Sequence, residues 1–147
     1  MDVLTSRTII HPSDLERSLA FYSEALNLPV AREFGEGTDR GVVFFAGGGL
    51  IEVVGAHQSF EPSAPDSHRP ANGQVTLWLQ VRSIEDAITE LAGRGVAVVR
   101  PPALEPWGLI EAWIDDPDGL RIHLVEVPAD HPLRRDQRSP TTKGARP

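Results

Sequence analysis

Leu50-Ile51-Glu52-Val53-Val54 returns 71 positions later as Arg121-Ile122-His123-Leu124-Val125, with one polar residue centred in an apolar run each time. Upstream, Ser13-Asp14-Leu15-Glu16 and Ser83-Ile84-Glu85-Asp86 stand 70 positions apart, and each opens an apolar-periodic segment. Between these landmarks, Val30-Ala31-Arg32-Glu33-Phe34 answers to Val96-Ala97-Val98-Val99, and Val42-Val43-Phe44-Phe45 to Glu111-Ala112-Trp113-Ile114. Offsets that nearly agree across four elements mark an internal duplication of one supersecondary unit. The chain divides into module one at 5–55, a linker at 56–73, module two at 74–127 and a tail at 128–147.

A length of 147 residues with 40% hydrophobic content suits a single domain, 1–127, in which two half-size modules share a core. Without cysteine there is no disulfide framework and no thiolate chemistry. No apolar run approaches the roughly 18 residues of a membrane span, and residues 1–10 lack the pattern of a secretion signal. A cytoplasmic, unprocessed protein with no membrane partner is expected. Net charge is −7, yet from Pro128 onward five basic residues (Arg134, Arg135, Arg138, Lys143, Arg146) outnumber two acidic ones (Asp130, Asp136), which leaves −10 on the body. An acidic body repels phosphate backbones, which argues against nucleic acid as a partner. The tail, rich in Pro, Ser, Thr and Gly with little to bury, reads as a solvated, disordered end.

Thr5 to Ile10 reads as a first strand ended by Pro12. Ser13 fits a helix N-cap, with Glu16 completing a capping box. Leu15, Leu19, Tyr22 and Leu26 then recur at helical spacing and lay one stripe against a sheet, in a helix ending near Leu28. Gly47-Gly48-Gly49 joins two strands and is a hairpin turn, not a phosphate cradle. In Val75 to Val81, Thr76, Trp78 and Gln80 share one face, as a cavity lining would, while Val75, Leu77, Leu79 and Val81 share the core face. Ser83 caps the second helix, Gly93-Arg94-Gly95 stops it, and Asp115-Asp116-Pro117-Asp118-Gly119 turns between the last two strands.

The stretches Ser13-Asp14-Leu15-Glu16-Arg17-Ser18-Leu19-Ala20-Phe21-Tyr22 and Asp116-Pro117-Asp118-Gly119-Leu120-Arg121-Ile122, inside a repeat covering Thr5 to Val127, resemble the vicinal oxygen chelate superfamily. That superfamily includes glyoxalase I, extradiol dioxygenases, fosfomycin-resistance enzymes and bleomycin-resistance-type binding proteins. The resemblance implies an α+β fold of two βαβββ modules per chain, with curled sheets enclosing a cavity and a homodimer whose chains share cavities. Metal-dependent members bind a divalent ion through the first and last strands of each module. Carried over by position, those places are Arg7, Glu52, Thr76 and His123. A guanidinium has no lone pair to offer, and threonine is a poor neutral ligand, so only Glu52 and His123 remain as metal ligands if there are any. Arg7 reads either as a fixed charge in the cation's place, paired with Glu52, or as a surface residue. No metal or other cofactor is expected.

Trp78, Trp107 and Trp113 all fall in the second module, and flat aromatic walls stack on flat conjugated ligands. Trp78 reads as a cavity wall, Trp107 as a loop-borne wall or surface residue, and Trp113 as a plug packed in the sheet. Phe34 and Phe45 are opposing walls from the first module; of Phe44 and Phe45 only one can face inward. With Thr76, Gln80, Arg7, Glu52 and His123 these make the expected ligand site. The resemblance then implies a metal-free binding protein, not an enzyme, that sequesters an antibiotic, either bleomycin-like or a planar aromatic or enediyne compound, and confers resistance. The alternative is a metal-dependent lyase, isomerase or dioxygenase using Glu52 and His123.

Overall fold

The computed structural model describes Met1, residues 7–55 and residues 75–133. The expected linker, the five basic tail residues, and Thr5 and Ser6 of the expected first strand lie outside the described residues. The first module runs β1 (Arg7–Ile10), α1 (Leu15–Ala20), β2 (Val30–Phe34), β3 (Gly41–Ala46) and β4 (Gly49–Val54). The second repeats the plan as β5 (Leu77–Val81), α2 (Ile84–Gly93), β6 (Val98–Leu104), β7 (Ile110–Asp115) and β8 (Arg121–Glu126). Each module builds a four-stranded sheet, ordered β1-β4-β3-β2 and β5-β8-β7-β6, in which the first strand lies parallel to the last and the others pair antiparallel. The fold is α+β with two βαβββ modules.

Side-chain alternation sorts each strand into a helix-facing and an outer face. Phe44, Ile51 and Val53 of the first sheet and Ala112, Ile114, Ile122 and Leu124 of the second are buried toward the helices, where they join Leu19, Tyr22, Ile84 and Leu91 in one continuous core. Phe44 is 1% exposed and its neighbour Phe45 52%, as two adjacent strand residues must divide. Gly47, at φ +61°, supplies the left-handed backbone of the β3–β4 turn.

Two local expectations change. Asp14, not Ser13, caps α1, accepting from Arg17 N at 3.0 Å. Ser13 is drawn away by the other module: its backbone N–H and its hydroxyl both donate to Asp118. Glu16, released from a capping box, pairs with Arg40 at 3.6 Å. The helix is also shorter than its stripe suggests, because Phe21–Ala25 winds as a π-helical turn. Leu26 N bonds Phe21 O at 2.9 Å, five residues back, and Ser23 Oγ donates to Leu19 O at 2.7 Å. The stripe survives, with Leu19 and Tyr22 buried and Leu15 and Leu26 packed around them. Ser83 caps α2 as expected, accepting from Asp86 N at 3.2 Å.

Asp116 locks the two modules together. It is 5% exposed; its Oδ1 accepts from Asp118 N at 2.9 Å and Leu120 N at 2.8 Å, which shapes the β7–β8 turn, and its Oδ2 accepts from Tyr22 OH of the first module at 2.9 Å. Burial, then the adjacent carboxylate, pushes the Tyr22 phenol upward, so it remains a donor throughout the accessible pH range. Removing Asp116 strands a buried hydroxyl and two turn N–H groups, whereas Tyr22→Phe leaves the turn bonds in place. Asp116→Ala is therefore expected to lower unfolding free energy by about 2–4 kcal/mol and Tyr22→Phe by about 1 kcal/mol in urea denaturation. Equal, negligible losses would mean that the core alone holds the modules.

Candidate functional site

The outer faces of the two sheets carry the polar residues singled out by sequence. On the first sheet, β1 and β4 place Arg7 and Glu52 in contact as an ion pair. Glu52 is only 9% exposed, held between Ile51 and Val53 on the strand and beside Val43 of β3 on its own face. The half-exposed guanidinium offsets the cost of burying that carboxylate. At the far edge, Phe34 lies over Gly41, where an added Cβ would come within 2.3 Å of its ring. Phe45 stands exposed on the same face.

On the second sheet, strand register lines up Trp78 of β5, His123 of β8, Trp113 of β7 and Arg100 of β6 in one row across the outer face. His123 and Trp113 stack with ring centroids 5.1 Å apart and planes at 29°. The Trp113 ring also lies 4.6 Å from the Arg100 guanidinium carbon and 5.2 Å from that of Arg121, both within cation–π range. Each arginine is paired in turn, Arg100 with Glu105 and Arg121 with Asp115. Below the row, Glu111 is 5% exposed; its Oε1 accepts from Trp107 Nε1 at 3.0 Å and its Oε2 lies 3.3 Å from His123 Nδ1. Trp113 was expected to plug the sheet core. Instead Ala112 and Ile114 fill the core on either side of it, and alternation turns the indole outward.

A cavity of about 630 Å³ opens between the β3–β4 hairpin and the β5 edge with α2. Thr76, Trp78 and Gln80 line it together with Leu50 and Arg94; Glu52 and His123 are not among its lining residues. The expected site residues thus form two groups: Arg7, Glu52, Phe34 and Phe45 on one sheet, and Trp78, Gln80, Trp113 and His123, with Thr76 just before β5 and Trp107 just before β7, on the other.

A two-module βαβββ chain with these turn and cap residues matches one family profile over residues 6–124, described as the Glyoxalase/Bleomycin resistance protein/Dioxygenase superfamily. The chain belongs to that superfamily. A probable lactoylglutathione lyase of Synechocystis sp. is 27% identical over 121 residues, covering 82% of this chain and 92% of its own. A solved superfamily member from Sphaerobacter thermophilus superposes with a TM-score of 0.65 at 28% identity, over 85% of this chain and 98% of the other. An antibiotic binding protein from Streptomyces sp. CB03234 shares the fold, with a TM-score of 0.66 at 22% identity over 86% and 98% of the two chains. No helix among the described residues is long and apolar enough to cross a membrane.

The superfamily's divalent metal does not suit the donor set at the four focal positions. Arg7, at one of them, offers no lone pair and its positive charge already occupies Glu52. Thr76 adds a neutral hydroxyl, and among the described residues no three His, Asp or Glu side chains converge as a ligand group. Sequence reasoning missed Glu111, Arg100 and Arg121. Glu111 carried one signal, a lone carboxylate two residues before Trp113 in an apolar strand. Arg7→Ala leaves the Glu52 carboxylate buried without its partner; unfolding free energy should drop by about 1–3 kcal/mol, with a smaller loss for Glu52→Gln, which keeps an acceptor without the charge. Thermal or urea denaturation of both variants checks the order.

Proposed function

We propose that this chain is a metal-free small-molecule binding protein that sequesters an antibiotic with a planar aromatic part and so confers resistance, without chemical turnover. The observation that carries the reading is the row Trp78, His123, Trp113 and Arg100 across one sheet face, with Trp78 48% exposed and bordering the cavity. The exposed Trp78 indole buries a flat conjugated ligand at low entropic cost, and the stacked His123–Trp113 pair with its arginines backs it along the row. The Arg7–Glu52 pair supports the metal-free part, because it supplies internally the charge balance that a divalent ion would otherwise bring. Exposed Ile9 and Phe45 on the first sheet's outer face and Trp78 on the second's are surfaces for a second copy of the chain, and a cytoplasmic homodimer is part of the proposal. The acidic body suits a cationic compound through long-range attraction.

A lyase reading has a specific observation in its favour, the 27% identity to a probable lactoylglutathione lyase. In it, Glu52 and His123 would hold a divalent ion with ligands from elsewhere.

Two measurements separate the readings. In tryptophan-fluorescence titration against a panel of DNA-damaging antibiotics, quenching is expected with the compound recovered intact, and Trp78→Ala should weaken binding about tenfold or more. Metal analysis of purified protein should find no stoichiometric divalent ion. An ion present at one per chain and lost in Glu52→Ala, or conversion of the titrated compound, would establish the enzyme instead.

A further inference from the structure

The Glu111 carboxylate determines which nitrogen of His123 is left for a ligand. A carboxylate can only accept, and its Oε1 is taken by the Trp107 indole, a group that can only donate. Oε2 faces His123 Nδ1 at 3.3 Å, a contact that is favourable when Nδ1 carries the hydrogen. Glu111 is 5% exposed, so a hydrogen on Nδ1 compensates a buried charge. The Trp107 loop is itself held, with Gly108 at φ +85° and Trp107 O 3.1 Å from His131 Nε2. With Nδ1 committed, Nε2 is the remaining imidazole nitrogen, and no described residue hydrogen-bonds to it.

We propose that Glu111 is a positioning residue that holds His123 as its Nδ1–H tautomer, so that Nε2 accepts a hydrogen bond from the ligand. The ligand class is then a planar aromatic compound bearing a hydroxyl on its ring system, a phenol or hydroxyquinone. This rests on the aromatic-binding reading above and sharpens it. The aromatic part lies against the exposed Trp78, and the hydroxyl donates to Nε2 from within that row. Charged groups nearby agree with this polarity. Arg100 and Arg121 lie over Trp113 and favour the electron-rich oxygen of an aromatic hydroxyl, while Glu105 and Asp115 neutralise them so that no full anion is required. A flat ligand with only carbonyl or ether oxygens brings no donor and leaves Nε2 unsatisfied.

Two experiments on the full chain test this separately. Long-range proton–nitrogen correlation NMR on ¹⁵N-labelled protein at about pH 8 reads the tautomer directly. Wild type should show His123 protonated at Nδ1, and Glu111→Gln, whose amide can donate to Nδ1, should shift it toward Nε2–H. An Nε2–H tautomer in wild type, or an unchanged one in Glu111→Gln, overturns the positioning role. Calorimetric titration then compares 2-naphthol with 2-methoxynaphthalene, two probes of nearly the same shape with and without the donor. 2-Naphthol should bind about tenfold more tightly, and Glu111→Gln should abolish the preference while 2-methoxynaphthalene binding persists. Equal affinities in wild type overturn the ligand class alone. If neither naphthalene binds although the Nδ1–H tautomer is present, the aromatic-binding reading itself falls.

Discussion

A single buried carboxylate, Asp116, sets the relation between the two halves of the molecule. It accepts two backbone N–H groups of its own β7–β8 turn and the hydroxyl of Tyr22 from the opposite module. Once desolvated, a carboxylate must collect donors, and these three bonds fix the turn, the start of β8 and the π-helical segment against one another. Ser13 on Asp118 and Arg94 on the Ala25 carbonyl extend the same seam. With the helix-facing sides joined in one core, both outer sheet faces are left to carry chemistry.

What those faces carry shows how a duplicated scaffold diverges. The same strand in each module centres one polar residue in an apolar run, yet the two residues meet opposite kinds of partner. Glu52 meets a fixed cation, Arg7, and the pair is electrostatically closed. His123 meets a buried anion, Glu111, and an aromatic face, Trp113, which leave one nitrogen available. The first module's position is a neutral ion pair. The second's holds a directional hydrogen-bonding group in an aromatic setting.

The repeat was legible because helix caps, the Gly47-Gly48-Gly49 turn and strand alternation are local signals, each written within a few residues. Alternation also sorted Phe44 from Phe45 and placed Thr76, Trp78 and Gln80 on the side away from the core. Where a decisive partner lay far along the chain, local rules misassigned residues. Ser13 has the composition of an N-cap, but an acceptor 105 positions away outcompetes the helix for it, and Asp14 takes the cap. Glu111 went unremarked because a strand glutamate is usually solvent-facing, and only the pairing of β7 with β8 and the return of Trp107 reveal that it is buried.

The amino-acid order alone determined the two-module α+β plan, the core face of β5 and the absence of chelating groups at Arg7 and Thr76, since each depends on residue type and short spacing. Tertiary structure decided that Arg7 and Glu52 meet, that Trp113 turns outward between two arginines, and that Glu111 meets His123. Those outcomes depend on strand register, and register aligns residues from distant segments, which no local pattern of side chains encodes.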